Sequence, residues 1–151
     1  VPAFSLPALL RALAVWALIV LAESGQGALR RLIADPDLEF AIRQLSVVTG
    51  AAIIFAITWA SLRWMRIRTA GGALAIGGLW VALTLAFEIG LGRVLGLSWD
   101  RILADYDLLH GGLMPLGLLA MALTPWAARR LQAGRTQPTP NTVAPGPRST
   151  P

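Results

Sequence analysis

The sequence predicts an all-α fold: a bundle of four transmembrane helices, with a short interfacial helix in the second outer loop and a disordered C-terminal tail. Three observations carry this expectation. Of the 151 residues, 56% are hydrophobic and 14% charged, against about 45–50% and about 25% in an ordinary soluble domain. The mean hydropathy is +0.64. The apolar residues gather in four runs close to the roughly 20 residues a helix needs to cross the hydrocarbon core, and no window shows the period of two that a β-barrel strand requires.

Taken in order, the expected spans are about 6–22, 44–62, 73–92 and 108–126, within a membrane domain of residues 1–133. Ser5 and Pro7 suit the start of span one, and Arg11 can extend its head to the near interface. That run, with Ala22 at a candidate cleavage point, also has features of a signal peptide. The lack of a basic stretch before it, and its length, favour a span. The first outer segment reads ESGQGALRRLIADPDLEFAIRQ. Asp35-Pro36 is an N-cap followed by Pro at the first helical position, so the second helix is expected to begin there, with Glu39 and Arg43 paired one turn apart.

The second outer segment reads LSWDRILADYDLLHGG. Ser98 suits an N-cap, Asp100 lies in the positive first turn, Leu97 and Ile102 fit a hydrophobic staple, and Arg101 and Asp105 stand one turn apart. These features predict the short interfacial helix. In span four, Pro115 cannot donate to the carbonyl of Gly111, which predicts a kink there. From Gly134 onward the chain is rich in Pro and Thr and almost free of apolar side chains, the composition of a disordered cytoplasmic tail over residues 134–151.

Orientation follows from the arginines. Arg63, Arg66 and Arg68 lie between spans two and three, Arg129, Arg130, Arg135 and Arg148 follow span four, and Arg11 opens span one. The other two loops hold Arg30, Arg31, Arg43, Arg93 and Arg101, together with all the acidic residues except the intramembrane Glu88. The positive-inside rule places both termini in the cytoplasm. Trp59, Trp64 and Trp126 then mark the inner interface and Trp99 the outer one, while Trp16 and Trp80 fall at mid-span, where they serve helix packing. The net charge of +5 and a pI of about 11.5 would suggest nucleic acid in a soluble domain. Here all 13 basic residues are Arg clustered beside apolar runs, so the expected partners are the lipid bilayer and a second copy or another membrane protein, not nucleic acid.

With Cys 0 and His 1, thiolate metal sites, disulfides, bis-His haem and His-rich zinc sites are excluded, and no cofactor or metal is expected. Glu88 is the most informative residue, because a carboxylate within a span is costly unless paired, protonated or wetted. Arg43 enters span two and Glu23 leaves span one at similar depth, which defines an expected buried charge cluster of Glu23, Arg43 and Glu88. It reads either as a polar staple fixing helix register or as a protonatable site for an ion or small polar ligand. A second candidate, an outer-face polar site, comprises Gln44, Thr84, Arg101, Asp105, Tyr106 and His110. His110 next to the opened turn is read as a hydrogen-bonded interfacial residue or a proton relay, and Asp105, Tyr106 and Asp107 as acid–base or cation-binding groups. Small residues four apart (Ser46 and Gly50; Ala52, Ala56 and Ala60; Ala73 and Gly77; Gly78 and Ala82) suit close helix contacts within the chain or between copies.

Across Glu23 to Trp126 the chain resembles a family of small bacterial four-span integral membrane proteins with no assigned activity. The resemblance rests on Glu23…Gly27…Arg30, Arg43-Gln44, Trp80…Leu83-Thr84…Phe87-Glu88…Gly92, Ser98-Trp99, Asp105-Tyr106 and Gly112…Pro115. Where that family carries Gly-Arg-Leu-Trp after Asp-Tyr, this chain has His110-Gly111-Gly112-Leu113, so a basic group near span four is missing. The resemblance implies four spans and no reaction. Gly-x-Ser-x-Gly, Walker A and His-Glu-x-x-His patterns are absent from the sequence. The expectation is a non-enzymatic accessory or interaction module. The alternative is a small oligomeric transporter or channel that uses Glu88 as a proton- or ion-coupling carboxylate.

Overall fold

A computed structural model describes residues 5–32 and 39–135, and those residues are helical throughout apart from short connections. The elements are α1 (Leu6–Leu32), α2 (Glu39–Met65), α3 (Ala70–Val94), α4 (Trp99–Ala104), a 3₁₀ turn (Leu108–His110) and α5 (Met114–Arg135). The long helices pack in a ring whose neighbours are α1 with α2, α2 with α5, α5 with α3, and α3 with α1.

The buried positions recur at helical spacing on each long helix: Ala12, Val15 and Ile19; Ile54, Thr58, Leu62 and Met65; Ala73, Ile76, Trp80 and Thr84; Met121, Thr124 and Ala128. The outward faces stay apolar, with Leu18, Leu21, Leu45, Val48, Leu74 and Leu119 all exposed. Apolar residues on both faces are what lipid, not water, accommodates. Leu6–Arg30, Gln44–Met65 and Ala70–Val94 are long and apolar enough to cross a membrane. The expected fourth span is not among them. Only Met114–Ala128 of α5 is apolar before Arg129 and Arg130, which at 1.5 Å per residue covers roughly 22 Å of a core about 30 Å thick.

Indole donors join α1 to α3. Trp80 Nε1 donates to the Ala12 carbonyl at 2.9 Å, and Trp16 Nε1 to Thr84 Oγ1 at 3.0 Å, while Thr84 Oγ1 donates onward to Met121 Sδ at 3.3 Å. A buried indole N–H without an acceptor would forfeit its hydration, so these bonds fix rotation as well as contact. The crossing of α3 and α5 is closest at Gly77, where a Cβ would overlap the Ala122 carbonyl.

The structure departs from the sequence expectations in three places. Helix α1 does not end near Ala22 but continues to Leu32. Glu23, Gln26, Gly27 and Arg30 are spaced i, i+3, i+4, i+7, so the polar residues form a stripe on a continued helix, and Gln26 Nε2 bonds the Ser46 carbonyl of α2 at 3.0 Å. Span four is not one helix from Leu108. Gly111 takes the left-handed conformation at φ 89° after the 3₁₀ turn, Gly112 N–H bonds Asp107 O at 2.7 Å and Met114 N–H bonds Asp105 O at 3.1 Å. Pro115 therefore sits in the first turn of α5, where its missing N–H costs nothing, and produces no mid-helix kink. The proline inside α5 is Pro125. The start expected at Asp35-Pro36, the Glu39–Arg43 pair and the tail beyond Arg135 lie outside the described residues and side chains.

One end of the ring is rich in arginine. Arg11 Nη1 bonds the Trp64 carbonyl at 3.3 Å, and Arg129 Nη2 and Nε both donate to the Arg68 carbonyl, at 2.8 Å and 3.2 Å. The start of α1, the end of α2, the Arg66–Thr69 connection and the end of α5 thus share this end. The opposite end carries α4 and the 3₁₀ turn.

A candidate acidic cavity at the α4 end

A cavity of about 500 Å³ opens between α1, α2, α3 and α5 toward the end that carries α4. Ile19, Ile54 and Met121 line its apolar part, and Glu23, Gln26, Arg30, Ser46, Thr84 and Glu88 supply its polar groups. Volume and lining fall within the range of small-ligand sites. Below it the inner half of the ring is filled by Val15, Thr58, Leu62, Met65 and Trp80.

Glu23 enters this cavity because α1 continues as a helix, and because Gly50 on α2 leaves room for its carboxylate. A Cβ at Gly50 would stand 2.8 Å from Glu23 Oε2 and 3.3 Å from Gln26 Oε1. Glu23 Oε1 is buried with no hydrogen-bond partner among the described residues. Glu88 lines the cavity from α3, one turn beyond the buried Thr84. Two members of the expected buried charge cluster therefore border one space, but Glu88 is exposed and Glu23 only half-buried. The third, Arg43, has its backbone in α2, and its side chain lies outside the described residues.

The six residues of the expected outer-face site do not converge. Thr84 is committed to Trp16 and Met121. Gln44 is exposed on α2 and does not line the cavity. Arg101 and Asp105 form an exposed pair at 3.2 Å, worth little in solvent. His110 Nδ1 contacts Asp107 Oδ2 at 2.5 Å on the surface, so the lone histidine staples the 3₁₀ turn and does not face an opened turn at Pro115. That hydrogen bond, followed by bonds from the Leu109 and His110 amides, holds the Asp107 carboxyl below the usual carboxylate range. Tyr106 is half-buried and its hydroxyl has no hydrogen-bond partner. Burial, then the negative charges of Glu88 and Asp105, push the phenol above its ordinary value, so Tyr106 stands within electrostatic reach of Glu88.

The cap itself is well specified. Ser98 Oγ accepts from the Arg101 N–H at 3.3 Å, and Ile102 seats against Gly92 with Leu97 alongside. Sequence reasoning missed Gln26, Arg30 and Ser46 as cavity residues because it placed the outer loop over the final turns of α1. The i, i+3, i+4, i+7 spacing from Glu23 to Arg30 is the signal that could have found the first two. Among the described residues, no three His, Cys, Asp or Glu side chains gather as a metal-ligand set. No protein-family model, curated protein or solved structure matches the chain.

Proposed function

We propose that the protein is a multi-pass bacterial inner-membrane protein in which α5 makes the fourth crossing and both termini are cytoplasmic. It works as a non-enzymatic binding or interaction module whose ligand site is the acidic cavity on the outer side. The observation that carries the module reading is the filled inner half of the ring beneath a cavity that holds Glu23 and Glu88. A cavity with buried side chains between it and the arginine-rich end suits binding of an ion or small polar ligand better than conduction.

Topology is supported by the arginine-rich end. Arg11, Arg63, Arg66, Arg68, Arg129 and Arg130 stand together there, and every described acid lies toward the other end. In this reading α4 and the 3₁₀ turn lie in the outer interface, with Val94, Leu95, Trp99, Leu103 and Leu109 turned outward. A short apolar α5 is tolerated because the cap extends its outer end and local thinning accommodates the rest.

Cysteines placed singly at Leu109 and Arg68 test the topology in this Cys-free chain. Leu109→Cys should be labelled only from the periplasmic side and Arg68→Cys only from the cytoplasmic side. The module reading is tested by identifying the small molecules and proteins that copurify in mild detergent, from the parent and from Glu88→Gln. A bound species lost in the variant supports it.

A second reading, a small transporter coupled through Glu88, is favoured by the position of that carboxylate on the cavity wall. Proteoliposomes separate the two. Proton or cation flux abolished by Glu88→Gln, with the fold retained, establishes transport and overturns the module reading.

A further inference from the structure

The arginine-rich end has a property that topology alone does not require: among the described residues its charges have no ion-pair partner. The described ion pairs, Arg101–Asp105 and His110–Asp107, both lie at the opposite end. Of the eight acidic residues, Glu23, Glu88, Asp100, Asp105 and Asp107 stand toward that opposite end, and Asp35, Asp37 and Glu39 fall in sequence between α1 and the start of α2.

Two arginines are used internally. Arg129 locks the α2–α3 connection to α5 through the Arg68 carbonyl, and Arg11 ties α1 to the end of α2 through the Trp64 carbonyl, its guanidinium 5.8 Å from the Trp64 ring centre. The Thr69 hydroxyl accepts from Gly72 N–H at 3.0 Å and caps α3. The connection is therefore tied to both α3 and α5. It leaves Arg63, Arg66 and Arg68 exposed, with Arg130 exposed on α5 and stacked 5.2 Å from the Trp126 ring centre. Trp64 is 53% exposed beside them.

We propose that this face binds the headgroups of anionic phospholipids in the leaflet on its side of the membrane. Three features select that partner. Planar guanidinium forks bind phosphodiester oxygens in pairs, which ammonium groups do not. The indoles of Trp64 and Trp126 suit the zone between headgroup and acyl chain. Exposed cations without a described acid partner, beside apolar helix walls, meet the diester and its acyl chains together, which a soluble phosphate or a nucleic acid does not offer. The inference rests on the membrane-spanning reading and is independent of the acidic cavity.

The test uses full-length protein in a zwitterionic detergent, titrated with phosphatidylglycerol, phosphatidylcholine or inorganic phosphate, and followed by melting temperature and Trp fluorescence. Phosphatidylglycerol should raise the melting temperature saturably and weaken in its effect with salt, and the other two should not. Arg63→Gln/Arg68→Gln/Arg130→Gln should lose about a hundredfold in apparent affinity, whereas Arg93→Gln/Arg101→Gln at the opposite end should bind like the parent. If the triple variant does not fold, Arg63→Gln and Arg68→Gln singly should each weaken binding about fivefold. Equal stabilisation by phosphatidylcholine, a response to phosphate alone, or unaltered binding by the arginine variants overturns the proposal.

Discussion

The carboxylate of Glu23 lies against the backbone of Gly50, so close that a Cβ on that glycine would stand 2.8 Å from Oε2, while Oε1 is buried without a hydrogen-bond partner among the described residues. A buried carboxylate oxygen left without a donor costs free energy. Glu23→Gln keeps the shape and removes the anion, so it should stabilise the fold by about 1 kcal/mol. Chemical denaturation in detergent checks the sign. A loss of 3–5 kcal/mol would instead mean that Glu23 is one half of a buried ion pair.

Gly77 and Gly78 are neighbours with opposite surroundings: a Cβ at the first would overlap the Ala122 carbonyl, and at the second would meet nothing within 4 Å. Gly77→Ala should force α3 and α5 apart and cost about 1–3 kcal/mol. Gly78→Ala should be neutral or stabilising by up to about 1 kcal/mol, the helix-propensity gain. Parallel thermal melts compare them, and equal behaviour would contradict the α3–α5 register.

Arg66 ends α2 in the left-handed region at φ 56°. An L-residue with a Cβ pays about 1–2 kcal/mol there, and glycine does not. Since Arg66→Gly and Arg66→Ala lose the same charge, their difference isolates the backbone term. The glycine variant should be the more stable by about 1 kcal/mol.

Asp107 titrates below the ordinary carboxylate range because it accepts from His110. With the folded value depressed, the stabilisation this bond gives the 3₁₀ turn is fully present above the ordinary Asp value of about 3.9 and is lost as the pH falls through the depressed one. Carboxyl NMR should show Asp107 titrating late on acidification, and His110→Ala should return it toward the ordinary range. An unchanged titration in the variant would remove His110 as the cause.

Helical class, the existence of α3 and the Ser98 cap were legible, since apolar length and capping chemistry are local properties. What was not legible depended on partners. Gly25 and Gly27 argue locally for a loop, yet α1 runs through them, because Gln26 finds the Ser46 carbonyl across the helix pair. Pro115 reads as a kink until the Gly111 turn moves the helix start to Met114, and the proline inside α5 is Pro125. In the candidate sites, Glu23 and Glu88 could be matched by depth along their helices. The dispersal of Gln44, Arg101 and His110 could not be foreseen, since it depends on how the cap folds back against Gly92.

The ring order has a consequence for biogenesis. α2 and α3 follow one another in the chain across the short Arg66–Thr69 connection, but α5 packs against both of them and they are not close neighbours. A nascent chain that has released only its first three helices can pair α1 with α2 and α1 with α3, and no more. The slot between α2 and α3 stays open until α5 is in place, when Arg129 reaches the Arg68 carbonyl and closes it. Closure of the ring is therefore committed by α5, and a chain interrupted before Met114 should keep only the α1–α2 and α1–α3 contacts.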